Sequence, residues 1–314
     1  MKYFQILFGI FCLNLNASYE ITVLATNISN YGGFGEWSFS ALYESDKESI
    51  LFDTGFHEDT VLHNAKVLNK DLSKVEKVIL SHFHSDHTGG LIKLRKTYKS
   101  FNKNAFKNVY VARGFFAQRY TASGDRVGPG NYSDANKFKQ DAEEEGITFI
   151  ILDSHEEIAK NLFATGTVVR TDEYYNGPKG LFVRQGKSNN LVEDIIVDDQ
   201  SAGMLTKSGW IMMSGCGHSG IINTAKKLQS IHNVPIYGAI GGFHLFQASD
   251  DVIDKTALWL KSAGMEKFMG GHCTGIYAAE RVADLIGIRR DDLSHTAIGS
   301  VLTKDLSIIR SSVE

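Results

Sequence analysis

Ser81-His82-Phe83-His84-Ser85-Asp86-His87-Thr88-Gly89-Gly90 places three imidazoles and a carboxylate within six consecutive positions, a density that packing alone does not call for. Imidazole nitrogens and carboxylate oxygens are the ligands that zinc and its first-row neighbours take, and such a site is catalytic when one coordination position is left to water. The run before it, Val75-Glu76-Lys77-Val78-Ile79-Leu80, is apolar and β-branched, which predicts a buried strand with the ligands on the loop at its carboxyl end. Gly89 and Gly90 are expected to let the backbone turn into a helix starting near Leu91. On an extended loop His82 and His84 point the same way, while Asp86 and His87 fall one turn later and face a second position. The spacing therefore suggests two adjacent metal ions.

The loop resembles the His-x-His-x-Asp-His signature of the metallo-β-lactamase superfamily residue for residue. Leu51-Phe52-Asp53-Thr54-Gly55 looks like that family's upstream Asp-Thr-Gly turn, Gly217-His218-Ser219-Gly220 like its third histidine motif, and Gly271-His272 like its last. The resemblance implies that His82, His84 and His218 hold one metal and that Asp86, His87 and His272 hold the other, the cofactor being one or two zinc ions or a similar divalent metal. Ordinary members bridge the metals with an aspartate in a Gly-Asp turn between the last two histidines. Here Ala239-Ile240-Gly241-Gly242-Phe243-His244-Leu245 occupies that strand end instead. Together with Gly215-Cys216-Gly217-His218, His272-Cys273-Thr274-Gly275 and Asp198-Asp199-Gln200, this departure resembles the branch of 7,8-dihydropterin-6-methyl-4-(β-D-ribofuranosyl)-aminobenzene-5′-phosphate synthases. The likeness runs from about Glu20 to about Gly299. It implies a four-layer αβ/βα sandwich, although a shared scaffold does not fix the reaction.

The chain has 314 residues, 43% of them hydrophobic, only three prolines and a formal net charge of −3. That composition fits one large α/β domain over 18–314 with no linker to divide it, and gives no reason to expect a nucleic-acid or acidic-membrane partner. Strands are expected at Tyr19–Val23, Ser38–Tyr43, Ser49–Phe52 and Lys77–Leu80, then at Leu181–Arg184, Met204–Thr206, Trp210–Ser214, Ile236–Gly241 and Lys267–Met269. Helices are expected from Leu91, near Ile221–Ser230 and near Asp251–Ala263. A long intervening region covers about 95–195. Its aromatic and glycine-rich middle, from Gly114-Phe115-Phe116-Ala117-Gln118-Arg119-Tyr120 to Tyr132, reads either as a substrate wall or lid, or as a connector whose aromatics pack on the core.

Lys2 followed by the apolar Tyr3–Leu13 run, with Leu15-Asn16-Ala17 behind it, reads as a signal peptide over 1–17 and predicts a periplasmic or secreted protein. The alternative is an N-terminal strand of a cytoplasmic domain. The run is too short for a membrane span. Cleavage would leave two cysteines, Cys216 and Cys273, each beside a candidate ligand. They read as metal ligands, as groups behind the ligands, as half of a disulfide, or as buried structural thiols. His57, His63, His155, His232 and His295 lack metal-like spacing.

The expected function is a zinc-dependent hydrolase acting through metal-activated hydroxide on a small ester, lactone, amide or phosphoester. Asp86 is expected to ligate and to orient the attacking water, and His244 to replace the absent bridge or donate a proton to the leaving group. The alternatives are the pterin-related synthase of the resembled branch and a non-catalytic metal-binding protein. Sequence leaves the oligomeric state open.

Overall fold

The computed structural model describes residues 19–172, 179–185 and 190–314; the segment read as a signal peptide lies outside them. Two large sheets face one another. The first runs in spatial order Ile308–Ile309, Val301–Thr303, Tyr19–Ala25, Ser40–Ser45, Ser49–Phe52, Val75–Ile79, Asn108–Ala112 and Thr148–Leu152. The second runs Leu293–Ser294, Lys267–Gly270, Ile236–Gly241, Trp210–Ser214, Ser201–Leu205, Leu162–Ala164 and Glu156–Ala159.

The layering follows from strand alternation, since successive side chains leave opposite faces of a strand. In Ser40–Ser45, Ala41 and Tyr43 enter the core between the sheets while Leu42 faces the other way. In Ser49–Phe52, Ile50 and Phe52 face inward and Leu51 outward. In the second sheet Ile211 and Met213 meet that central core, and Trp210 and Met212 face outward. Each outward face is covered by helices: Thr60–Val67, Leu91–Tyr98 and Ala135–Glu144 on the first sheet, and Ile221–Ile231, Asp250–Ser262 and Ile276–Ile286 on the second. Because both sheets are buried on both sides, many of their strands are apolar throughout. Trp210 is fully buried, with its indole N–H satisfied by the His232 carbonyl at 2.9 Å. Removing such a side chain would cost about 3–5 kcal/mol.

The region about 95–195 is more structured than a connector. Asn108–Ala112 and Thr148–Leu152 extend the first sheet in parallel, and Glu156–Ala159 and Leu162–Ala164 complete the second. Arg119–Thr121, Arg126–Val127, Leu181–Gln185 and Asn190–Glu193 form a separate four-stranded sheet. These strands are short and weakly alternating, so their pairing comes from tertiary context. In the Gly114–Tyr120 stretch Phe115 lies in the core under the first sheet and Arg119 is wholly buried, while Ala117 is exposed.

Gly89 and Gly90 differ from expectation in their reason. Both have right-handed helical dihedrals, so no special turn is needed. What glycine provides is proximity, because a Cβ on Gly89 would sit 1.7 Å from the Phe56 carbonyl oxygen.

Candidate metal centre

Five loops converge at one end of the sandwich. Asp53 follows the strand Ser49–Phe52, the His82–His87 loop follows Val75–Ile79, Cys216 and His218 follow Trp210–Ser214, His244 follows Ile236–Gly241, and His272 follows Lys267–Gly270. Within each sheet these strands run parallel side by side. Their carboxyl ends therefore open on the same edge, where α/β sheets place their sites. Gly242 lets the His244 loop touch the Cys216–His218 loop, since a Cβ there would fall 2.1 Å from the Gly215 carbonyl oxygen.

Two groups of ligand atoms form. In the first, His82 Nε2 lies 2.8 Å from His84 Nδ1 and 3.2 Å from His218 Nε2. In the second, Asp86 Oδ2 lies 3.5 Å from His87 Nε2 and 3.3 Å from His272 Nε2, and Cys216 Sγ lies 3.2 Å and 3.3 Å from the same two nitrogens. The edges of a tetrahedron with Zn–N arms of about 2.05 Å measure roughly 3.3 Å, and N–S edges are slightly longer. Both groups match a tetrahedral cation in spacing.

The hydrogen bonds behind the ligands decide where lone pairs point. Asp53 accepts from the Ser81 backbone N–H at 2.6 Å, from the Ser81 hydroxyl at 2.8 Å and from His87 Nδ1 at 2.7 Å. With its only hydrogen given to Asp53, the Ser81 hydroxyl accepts at its oxygen from His82 Nδ1, 2.9 Å away. One carboxylate thus leaves the Nε2 atoms of both His82 and His87 bare and aimed into the site, as ligation requires. Burial pushes His82 and His218 well below the usual histidine range and His84 down to about 4, so the first group is neutral and able to ligate. At His87 burial also opposes charge, but the Asp86 and Asp53 carboxylates outweigh it and raise the imidazole well above its usual value. His272 is likewise raised against burial, by Cys273 and Asp86. Burial would raise Asp86, yet His87 and His272 hold it well below the usual carboxylate range. Asp86 is thus held anionic at the second position, and a cation taking its place beside His87 and His272 would displace their Nε2 protons. A metal fits the residues present.

His244 stands apart from the Asp86 group. It is 8% exposed, and its ring lies 4.6 Å from that of His218 and 5.3 Å from that of Phe246. Its φ of 48°, like 47° at His272 and 54° at Asp53, is left-handed backbone on a non-glycine residue. Each such residue costs on the order of 1–3 kcal/mol, and such strain clusters at functional sites.

Asp198, Asp199 and Gln200, which carry part of the sequence resemblance, have supporting roles, as do Arg119, Asp194, Trp37 and Phe246, which carried no clear sequence signal. Arg119 sits 3.8 Å over the Phe83 ring, donates to Asp194 at 2.9 Å, and is ion-paired with Asp198. Asp198 in turn accepts the Phe83 N–H at 2.9 Å, so a fully buried triad anchors the ligand loop. Asp199 accepts the Ser219 N–H at 2.8 Å beside His218, and Gln200 donates to the Leu80 and Tyr110 carbonyls, joining two strand ends. Trp37 is 49% exposed and Phe246 41% exposed, and both form an aromatic rim, the Trp37 ring lying 5.0 Å from that of His272. Trp37 also lines a groove of about 720 Å³ with Phe34, Phe56 and His57. None of His57, His63, His155, His232 and His295 joins a ligand group among the described residues.

Known proteins give the same picture. The sequence profile of the metallo-beta-lactamase superfamily matches residues 38–100. A curated relative from Methanocaldococcus jannaschii, 7,8-dihydropterin-6-methyl-4-(beta-D-ribofuranosyl)-aminobenzene-5'-phosphate synthase, is 31% identical over 268 residues, covering 82% of this chain and 88% of its own. A crystal structure described as a metal-dependent hydrolase of the beta-lactamase superfamily is similar at 28% identity and a TM-score of 0.72, covering 90% of this chain and 98% of that one. Zn(2+)-bound PqqB from Methylobacterium extorquens is similar in fold, with a TM-score of 0.51, 11% identity, and coverage of 90% and 99%.

Proposed function

The chain belongs to the metallo-beta-lactamase superfamily, and on that premise we propose that it is a metal-dependent enzyme that hydrolyses a small ester, lactone, amide or phosphoester. The observation that carries this reading is the asymmetry of the two ligand groups. His82, His84 and His218 supply three neutral imidazoles and leave a fourth tetrahedral position open, as a catalytic site needs. A divalent cation held there supplies Lewis-acid polarisation of a substrate oxygen and makes a water acidic enough to attack near neutral pH.

The chain's own residues supply the rest. Asp86, half-buried and held anionic beside His87 and His272, would ligate through one oxygen and accept from the attacking water at the other. His244, whose ring lies 4.6 Å from that of His218, would donate a proton to the leaving group. Trp37 and Phe246 cover one side of the centre and limit water access. The test is turnover by zinc-loaded protein of a panel of lactones, phosphodiesters and β-lactams. His244→Asn should lower kcat about a hundredfold or more with metal content unchanged; normal turnover would remove His244 from the reaction.

A second reading rests on the curated relative: the same centre would serve a pterin-related synthase, acting on a phosphate-bearing substrate. Formation of the named product from its precursors, without turnover of the hydrolysis panel, would favour it.

A further inference from the structure

We propose that Cys216 is a thiolate ligand of the second cation, so that this position is closed by four protein donors and the chemistry is confined to the first. The inference rests on the metal-centre reading above and goes beyond it by dividing the labour between the two positions.

Cys216 Sγ lies 3.2 Å from His87 Nε2 and 3.3 Å from His272 Nε2, as close to each as Asp86 Oδ2 is on the opposite side. Four donors of three kinds therefore surround one point, each from a different stretch of backbone except the adjacent Asp86 and His87. A thiol is a weak hydrogen-bond acceptor, and His87 is already oriented through Nδ1 by Asp53 at 2.7 Å. Two Nε2 atoms directed at one buried sulfur are better explained by a shared cation. Cys216 is 3% exposed, so the arrangement is not a surface accident.

The local backbone is built for this placement. A Cβ at Gly215 would lie 2.2 Å from Ser81 Oγ and 2.5 Å from Asp53 Oδ2, so glycine lets the strand end press against the groups that orient His82 and His87. Gly217 has φ +65°, which reverses the chain between Cys216 and His218. One turn thereby sends sulfur to the second position and an imidazole to the first.

Cys273 is a different thiol. Its Sγ accepts the His244 backbone N–H at 3.3 Å and lies 3.7 Å from the Cys216 carbonyl oxygen, so it serves the backbone of the neighbouring loops. Although Cys216, His244 and Cys273 also lie close together, that group has no carboxylate and His244 turns its ring toward His218. On binding, the Cys216 thiol loses its proton to solvent and the sulfur lone pair forms the bond to the cation. With Asp86, His87, His272 and Cys216, the second position has the closed four-donor set of a structural site, whereas the first keeps three donors and an opening.

The test is cobalt(II) and zinc reconstitution of the full chain. Cobalt should add in two steps, with a sulfur-to-cobalt charge-transfer band in the near ultraviolet of size expected for one thiolate. Zinc-edge X-ray absorption on the unaltered protein should give one sulfur neighbour at about 2.3 Å shared over two zinc ions. Cys216→Ser should abolish the band and weaken the second equivalent by more than about tenfold while the first still binds; Cys273→Ser should keep the band. Two bound cobalt ions without the band, no sulfur at the zinc edge, or a band lost in Cys273→Ser and kept in Cys216→Ser would overturn the proposal and leave the hydrolase reading standing. Absence of any cobalt binding would overturn the functional reading itself.

Discussion

Replacing Asp53 by asparagine should disarm both metal positions without touching a ligand. As a carboxylate Asp53 only accepts, and that forces His87 to donate from Nδ1 and Ser81 to accept from His82 Nδ1. An amide nitrogen facing Ser81 and His87 donates instead. His87 must then carry its proton on Nε2, and the Ser81 hydroxyl, now free to donate, pushes the His82 proton to Nε2 as well. Both nitrogens aimed into the site become N–H groups unable to ligate. If the amide flips, its NH₂ meets the Ser81 backbone N–H, now 2.6 Å from Asp53 Oδ1, and a buried donor is left unsatisfied at about 1–3 kcal/mol. Groups behind ligands are worth about 10–100-fold in metal affinity, or about 1.4–2.7 kcal/mol. Competition against a coloured chelator should show a loss of that size at both positions, and Ser81→Ala should affect mainly the first. Affinity and stability equal to the parent protein would refute the tautomer reasoning.

Asp199 gives a pH signature. Burial pushes its carboxyl up to about 6, above the ordinary value of 3.8, so between those values the folded chain binds more protons than the unfolded one and stability falls as pH rises through the window. In metal-free protein Asp199→Asn should remove that loss, gaining on the order of 1–3 kcal/mol over the parent at pH 7 relative to pH 4 in urea melts; parallel pH profiles would contradict it. Export predicts that N-terminal sequencing of natively expressed protein begins just after Ala17. An intact Met1-Lys2 in the cytoplasmic fraction would instead favour the synthase reading.

The fold was legible where a residue pattern had a single physical meaning. The apolar run ending in the His82–His87 loop marked a buried strand with its ligands at the carboxyl end, and the structure places Val75–Ile79 there. Trp210–Ser214, Ile236–Gly241 and Lys267–Met269 were also visible, because buried parallel strands read as continuous apolar segments, whereas the strand expected at Met204–Thr206 begins earlier, at Ser201, and pairs antiparallel. Of the four-stranded sheet only Leu181–Arg184 was legible, and its pairing with Arg119–Thr121, about sixty residues away, was not. The candidate ligands named from sequence lie in the two groups that the resemblance implied, with Cys216 beside the second. Cys216 stood two residues from His218 with four readings open; it is a free buried thiol, and its distances to His87 and His272 support the ligand reading proposed above. Nothing in the sequence around Arg119 signals a buried cation, because its partners Asp194 and Asp198 lie more than seventy residues downstream. Ser81 could have been suspected from its place directly before His82, yet its role depends on Asp53, twenty-eight residues upstream.

The most direct test is elemental analysis of protein reconstituted with zinc and freed of excess metal, beside His84→Ala. About two zinc ions per chain are expected, with the first position lost in the variant while the domain stays folded on its own large core. A folded parent protein that retains no zinc, or a His84→Ala variant that retains the full complement, would contradict that expectation.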